Sequence, residues 1–241
     1  MYKILVLLFL STPVFAMRDF REAKVHLPQI HSDNLLTLYC GCKYVGKDVD
    51  LKSCGYKVHK NARRASRLEW EHVVPAEAFG RSFVEWREGH QKCTKKSKKY
   101  KGRKCARKNK EFAQMEADLY NLYPEIGELN GLRSNFSMTD FGENESLKGA
   151  KTFGACPAIV MNRKFEPMDS AKGIVARVYM YMADAYPNRG IISNKNEKLF
   201  EAWNTKYPVT DGECVRAKRI LAVQGKANKI LEEACLKKAG K

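Results

Sequence analysis

Apolar and polar positions alternate most clearly over residues 67–74 (RLEWEHVV). Leu68 and Trp70 precede Val73-Val74 there, and Pro75 stops the run, which predicts a β-strand ending just before the proline. Helical spacing governs most of the remaining chain. It predicts helices over 17–27 (Phe20, Lys24-Val25 and Leu27, halted by Pro28), 76–87, 111–122 and 213–238. A further helix is predicted over 171–186, with Ile174, Val175, Val178 and Met182 on one face, Ser170 as its cap and Pro187 beyond its end. Pro124 suits the first position of another helix, with Glu125 and Glu128 in its first turn and Gly131 as its stop. Residues 35–45 read as strand or turn and 56–60 as a short strand. No repeat and no Pro/Gly/Ser-rich linker divides the chain, so the pattern predicts one α+β domain.

Residues 1–16 follow a different pattern. Lys3, the apolar run Ile4–Leu10, Pro13 and the small-x-small end Val14-Phe15-Ala16 have the order of a secretory signal peptide, which would leave a domain over 17–241. The chain is therefore expected to be exported, to the periplasm or the medium. The seven-residue apolar run is too short to span a bilayer. Eight cysteines, at 40, 42, 54, 93, 105, 156, 214 and 235, then read as four disulfides rather than a zinc cluster. Connectivity cannot be read from the spacing, although Cys93–Cys105 would make a local clip.

Charge narrows the class of partner. Lys and Arg number 44 against 27 Asp and Glu, a net charge of +17, and a hydrophobic content of 44% supplies a core that a disordered polyelectrolyte would lack. Such a chain suits a polyanion. Eleven of the cations fall within residues 92–110, where there is no acid. The sequence has no GxSxG elbow, Walker loop or GxGxxG, which removes serine hydrolase, NTPase and dinucleotide chemistries. Glu71-His72 sets a hard oxygen ligand beside a group that titrates near neutrality. Taken alone, that pair is as readily an exposed strand end, and both side chains reach one site only if the pleat breaks nearby. Asn130 alone reads as a helix-end residue before Gly131.

RLEWEHVVPAEAFG at 67–80 and DLYNLYPEIGELNGLRSNF at 118–136, with TLYCGC, SCGY, GRKC and WNTKYPV elsewhere, resemble the endonuclease I family of exported, sequence-nonspecific nucleases. The resemblance covers nearly the whole chain after residue 16. It implies a single disulfide-bonded domain with a ββα-metal core surrounded by helices. By the same resemblance Glu71 is a ligand of the catalytic Mg²⁺, His72 the general base and Asn130 an amide-oxygen metal ligand. Arg103 matches an arginine on the cleaved phosphate, and Asn121 and Arg133 fall in the same motifs with supporting roles. The implied reaction is metal-dependent hydrolysis of DNA, and of RNA as well, leaving 5′-phosphate ends. Mg²⁺ is the expected cofactor, other divalent cations being able to take its place, and the protein is expected to act as a monomer. Two departures from the family pattern are the more basic stretch 92–101 and QGKAN at 224–228 in place of a QGN-type tail. An exported cationic binding protein for acidic polysaccharide or anionic surfaces would also explain the charge, but it leaves Glu71, His72 and Asn130 without purpose.

Overall fold

A computed structural model of the protein describes residues 17–142 and 145–240. The expected leader at 1–16 lies outside them. Asp19 caps α1 (Phe20–Ile30) by accepting from the backbone N–H groups of Arg21 and Glu22. Pro28 lies inside this helix rather than ending it; so close to the C-terminus, it removes one hydrogen bond and the helix stops at Ile30. A turn over 38–40 leads to the hairpin β1 (Lys43–Val45) and β2 (Asp48–Asp50), then to a 3₁₀ turn over Leu51–Cys54. The strand expected over 56–60 reduces to one bridge between Tyr56 and Gly154.

After α2 (Ala62–Ala65) comes β3 (Leu68–His72), the alternating segment of the sequence. The helix expected over 76–87 forms as two pieces, α3 (Ala76–Gly80) and α4 (Val84–Arg87). The basic hairpin β4 (Thr94–Lys95) and β5 (Lys98–Lys99) precedes α5 (Arg103–Ala106) and α6 (Lys110–Glu116). A 3₁₀ turn over Leu119–Asn121 feeds β6 (Leu122–Ile126), which pairs antiparallel with β3 from Leu68↔Ile126 to His72↔Leu122. The next residue begins α7 (Gly127–Arg133), which packs against both strands. The sequence expectation for Pro124 is corrected here. It sits in β6 opposite Trp70, in a two-stranded sheet whose strands are both edges and so tolerate a residue without an N–H.

Beyond α7, β7 (Ser137–Met138), β8 (Lys151–Phe153), β9 (Cys156–Met161) and β10 (Lys164–Glu166) form one sheet in the order β7-β10-β9-β8. The chain ends in α8 (Asp169–Ala185), α9 (Asn194–Lys206), α10 (Asp211–Gln224) and α11 (Lys229–Ala239). Met168, not Ser170, is the N-cap residue of α8. The single tail helix expected over 213–238 is two helices, because Gly225 takes φ +69° and ends α10. Buried side chains from all of these regions join in one core, so the chain is a single α+β domain. Four disulfides close it: Cys40–Cys156, Cys42–Cys54, Cys93–Cys105 and Cys214–Cys235. The local clip across the basic segment is among them. Four paired bridges suit an oxidising compartment, and no helix among the described residues is long and apolar enough to cross a membrane.

Candidate functional site

A cleft of about 730 Å³ opens where β3 ends. Glu71, His72, Arg103, Asn130 and Arg133 all line it, and Lys24, Lys47, Arg64 and Arg67 add positive charge, the two arginines both paired with Glu69 on the same wall. The β3–β6 pairing runs unbroken through His72, and the departure from the pleat comes immediately after it. Asn121 makes that departure. Its side chain accepts from the Val74 N–H at 2.7 Å and donates to the Val74 carbonyl at 3.0 Å, so the clamp lies just beyond the strand. Arg133 braces the same corner by donating to the Val73 carbonyl (2.6 Å) and the His72 carbonyl (3.3 Å).

The two side chains expected to work together leave β3 toward different partners. Glu71 Oε1 accepts from the Tyr39 hydroxyl at 2.9 Å and lies 3.3 Å from Arg133 Nη1, while Oε2 has no hydrogen bond among the described residues. The His72 ring packs 4.8 Å from the Phe20 ring and lies 2.8 Å, through Nε2, from the Glu116 carbonyl. A carbonyl can only accept, so Nε2 carries the proton and Nδ1 keeps its lone pair. Arg103 Nη2 stands 3.5 Å from that Nδ1. The Glu116 carboxylate aims Arg103, taking Nε at 2.5 Å, and also receives Arg107 at 2.7 Å. Asn130, half-buried on α7, lines the same cleft as Glu71.

The endonuclease I family profile matches residues 13–235 of the chain. The chain is 40% identical over 232 residues to an extracellular deoxyribonuclease of Aeromonas hydrophila, covering 93% of each. It is 38% identical over 237 residues to a periplasmic deoxyribonuclease of the same organism, covering 95% of this chain and 92% of the other. It is 41% identical over 230 residues to Endonuclease-1 of Buchnera aphidicola subsp. Acyrthosiphon pisum, covering 92% of this chain and 84% of the other. The chain belongs to the endonuclease I family. It is a nuclease.

In this endonuclease I chain burial dominates the electrostatics of the cleft. The Glu71 carboxyl is pushed up to about 7 by desolvation, which outweighs the opposing pull of Arg133 and the Tyr39 hydrogen bond. Burial also pushes His72 down to about 3, and the Arg103 guanidinium adds to that shift, so the imidazole is neutral at physiological pH. Behind Glu71 lies Glu125, buried and raised to about 8, which accepts from the backbone N–H groups of Tyr39 and Ile126. Tyr39 is thereby fixed at both its backbone and its hydroxyl.

The four residues expected to have catalytic or metal roles all line this cleft, as does Arg133, while Asn121 lies behind it on Val74. Of the residues that hold them, Asn121 and Arg133 fall in the motifs and were expected to have supporting roles, and Tyr39 falls in TLYCGC without a role assigned to it. Glu116 lies in no motif, and no local pattern marks its part. Glu128 of the GELNG motif faces the other way and fastens the 59–61 loop by accepting from the His59 and Lys60 N–H groups at 3.0 and 2.6 Å. The tail motif is structural as well. Gln224 is buried, accepting from the Leu119 N–H and donating to Asp118, and Asn228 caps α11.

Proposed function

We propose that the protein is an exported, metal-dependent endonuclease that hydrolyses phosphodiester bonds of DNA, and of RNA through the same contacts, without sequence preference. One observation carries this reading. In a chain of the endonuclease I family, Glu71, His72, Arg103 and Asn130 line a single basic cleft. His72 Nδ1, with Nε2 anchored on the Glu116 carbonyl, accepts the proton of the attacking water. Arg103, held by Glu116, offers its remaining N–H donors to a non-bridging phosphate oxygen. Cleavage on the 3′-oxygen side leaves a 5′-phosphate. Contacts to phosphate carry no base information, which accounts for the lack of sequence preference.

Glu71 Oε2 and the Asn130 amide oxygen are the residues that would hold the divalent cation. They fit a hard cation that keeps most of its water, as Mg²⁺ does. Among the described residues no group of three or more His, Cys, Asp or Glu is placed to hold a metal ion elsewhere. Bound there, the cation would supply Lewis-acid stabilisation of phosphoryl and leaving-group charge. With its single carboxylate, this donor set leaves most of the cation's field for the phosphate. The test is nicking of supercoiled plasmid by the disulfide-intact protein, with Mg²⁺ and with EDTA. Cleavage in Mg²⁺ that EDTA abolishes is the expected result, and equal cleavage in both would sink the metal-dependent reading.

A further inference from the structure

The β4–β5 hairpin is built against its own stability. Its loop is two residues long, between the paired Lys95 and Lys98, and the loop residues Lys96 and Ser97 take φ of +47° and +61°. A turn of this kind favours Asn-Gly, and lysine and serine hold the left-handed region at a cost. Lys95 and Lys98 face each other directly across the pair, and like charges opposite one another repel. Among the described residues none of the lysines from 92 to 104 takes part in an ion pair.

Two-residue strands would not hold this arrangement unaided. The Cys93–Cys105 disulfide fastens the base of the hairpin to α5, with Tyr100 N–H donating to the Cys93 carbonyl and Gly102 N–H to the Trp86 carbonyl. On α5 two adjacent cations divide between two surfaces. Arg103 lines the cleft, whereas Lys104 joins Lys95, Lys96, Lys98, Lys99 and Tyr100 around a separate, shallow hollow. A covalently fixed arm of unpaired lysines thus ends four residues before the arginine in the cleft, and Lys104 follows that arginine directly on α5.

We propose that this hairpin is a second docking site for the phosphate backbone of duplex DNA, outside the cleft and in fixed register with it. The proposal rests on the nuclease reading, since continuity with Arg103 is what selects a nucleic-acid backbone over other polyanions. The Cα atoms of Cys93 and Cys105 are 5.5 Å apart. From Cys93 to the tip at Lys96 is three residues, about 10 Å at ~3.4 Å per extended residue, so the arm spans about three nucleotides of one strand. DNA running through the cleft therefore continues onto the lysines, and phosphate neutralises the Lys95–Lys98 repulsion.

The test is binding of a 30-base-pair duplex in EDTA, measured across a range of salt concentrations and so independent of turnover. The protein is compared with its Lys95→Gln/Lys96→Gln/Lys98→Gln/Lys99→Gln variant. A second variant, Lys195→Gln/Lys198→Gln/Lys229→Gln/Lys237→Gln, removes the same charge from exposed positions on α9 and α11. Each lost phosphate contact takes about 0.9 from the slope of log K against log salt, so the hairpin variant should flatten it by about 3–4 and the distal variant by less than about 1. Thermal melting checks that both variants are folded. Equal slopes for the native protein and the hairpin variant, or equal flattening by the two variants, would overturn the proposal. So would loss of binding to phosphatidylserine vesicles by the hairpin variant with its DNA slope unmoved. Failure of the native protein to cut plasmid would instead count against the nuclease reading, so the two failures are distinguishable.

Discussion

His72 presents an unprotonated Nδ1 to the cleft, and burial with Arg103 holds its protonated form down to about pH 3. The expectation of a base titrating near 6.5 is thereby shifted. With the divalent cation saturating, the acid limb of the kcat–pH profile should lie below pH 6.5, and rate should be flat from there to pH 8. At limiting cation that limb should move upward, because protons compete for Glu71, whose own affinity is raised to about 7. A limb at or above 6.5 under saturating cation would contradict the assignment. The linked stability has a definite sign. The unfolded chain binds more protons at His72 between about pH 3 and 6.5, so this contribution is complete above 6.5 and is lost as pH falls through that window. His72→Ala should lower cleavage by ~10²–10⁴-fold, while its DNA affinity, measured by gel shift, stays near that of the native chain.

At the scale of elements, β3 was legible because its sequence alternates apolar and charged residues from Leu68 to Glu71, although the fold buries Leu68 and His72 on one face and Glu71 on the other. β6 was hidden because its five residues are all buried and include Pro124, so no alternation survives and the proline reads as a helix start. The helix does follow, three residues later than expected, at Gly127. A Cβ there would stand 2.7 Å from the Arg64 carbonyl oxygen and 2.8 Å from that of Arg67, both backbone atoms that cannot swing aside. Gly127 therefore lets α7 leave β6 against the 64–67 turn, and α7 carries Asn130 into the cleft. Gly127→Ala should destabilise the fold by about 1–3 kcal/mol through overpacking, visible as a lower Tm. It should also weaken the apparent affinity for Mg²⁺ in cleavage assays, although the substituted atom touches no ligand. An unchanged Tm would show that the junction has slack.

Across the whole molecule, the site residues and their supports alike come from separate segments of the chain. Tyr39 reaches Glu71 across 32 residues, and the Glu116 carbonyl reaches His72 across 44. Contacts of that range are products of the core and leave no periodicity to read. The disulfides were legible as a set, since an even count beside a leader pattern implies pairing, but their map was not. Cys40–Cys156 spans 116 residues, against 12, 12 and 21 for the others. In the chain-entropy account a loop of that order contributes about 4–5 kcal/mol and the short ones about 3. Cys40→Ala/Cys156→Ala should therefore lower Tm more than Cys93→Ala/Cys105→Ala, as differential scanning calorimetry would show. The reverse order would mean that strain or residual unfolded structure outweighs loop length.

Glu116 serves the cleft twice, through a main-chain carbonyl on His72 and a carboxylate on Arg103 and Arg107. Any amino acid at that position brings the carbonyl with it, whereas the carboxylate depends on the codon. Half of the role is thus immune to substitution, and a saturation library at position 116 should yield graded survivors rather than all-or-none loss. The orientation of the imidazole comes with the backbone, and the grip on the arginines comes with the side chain.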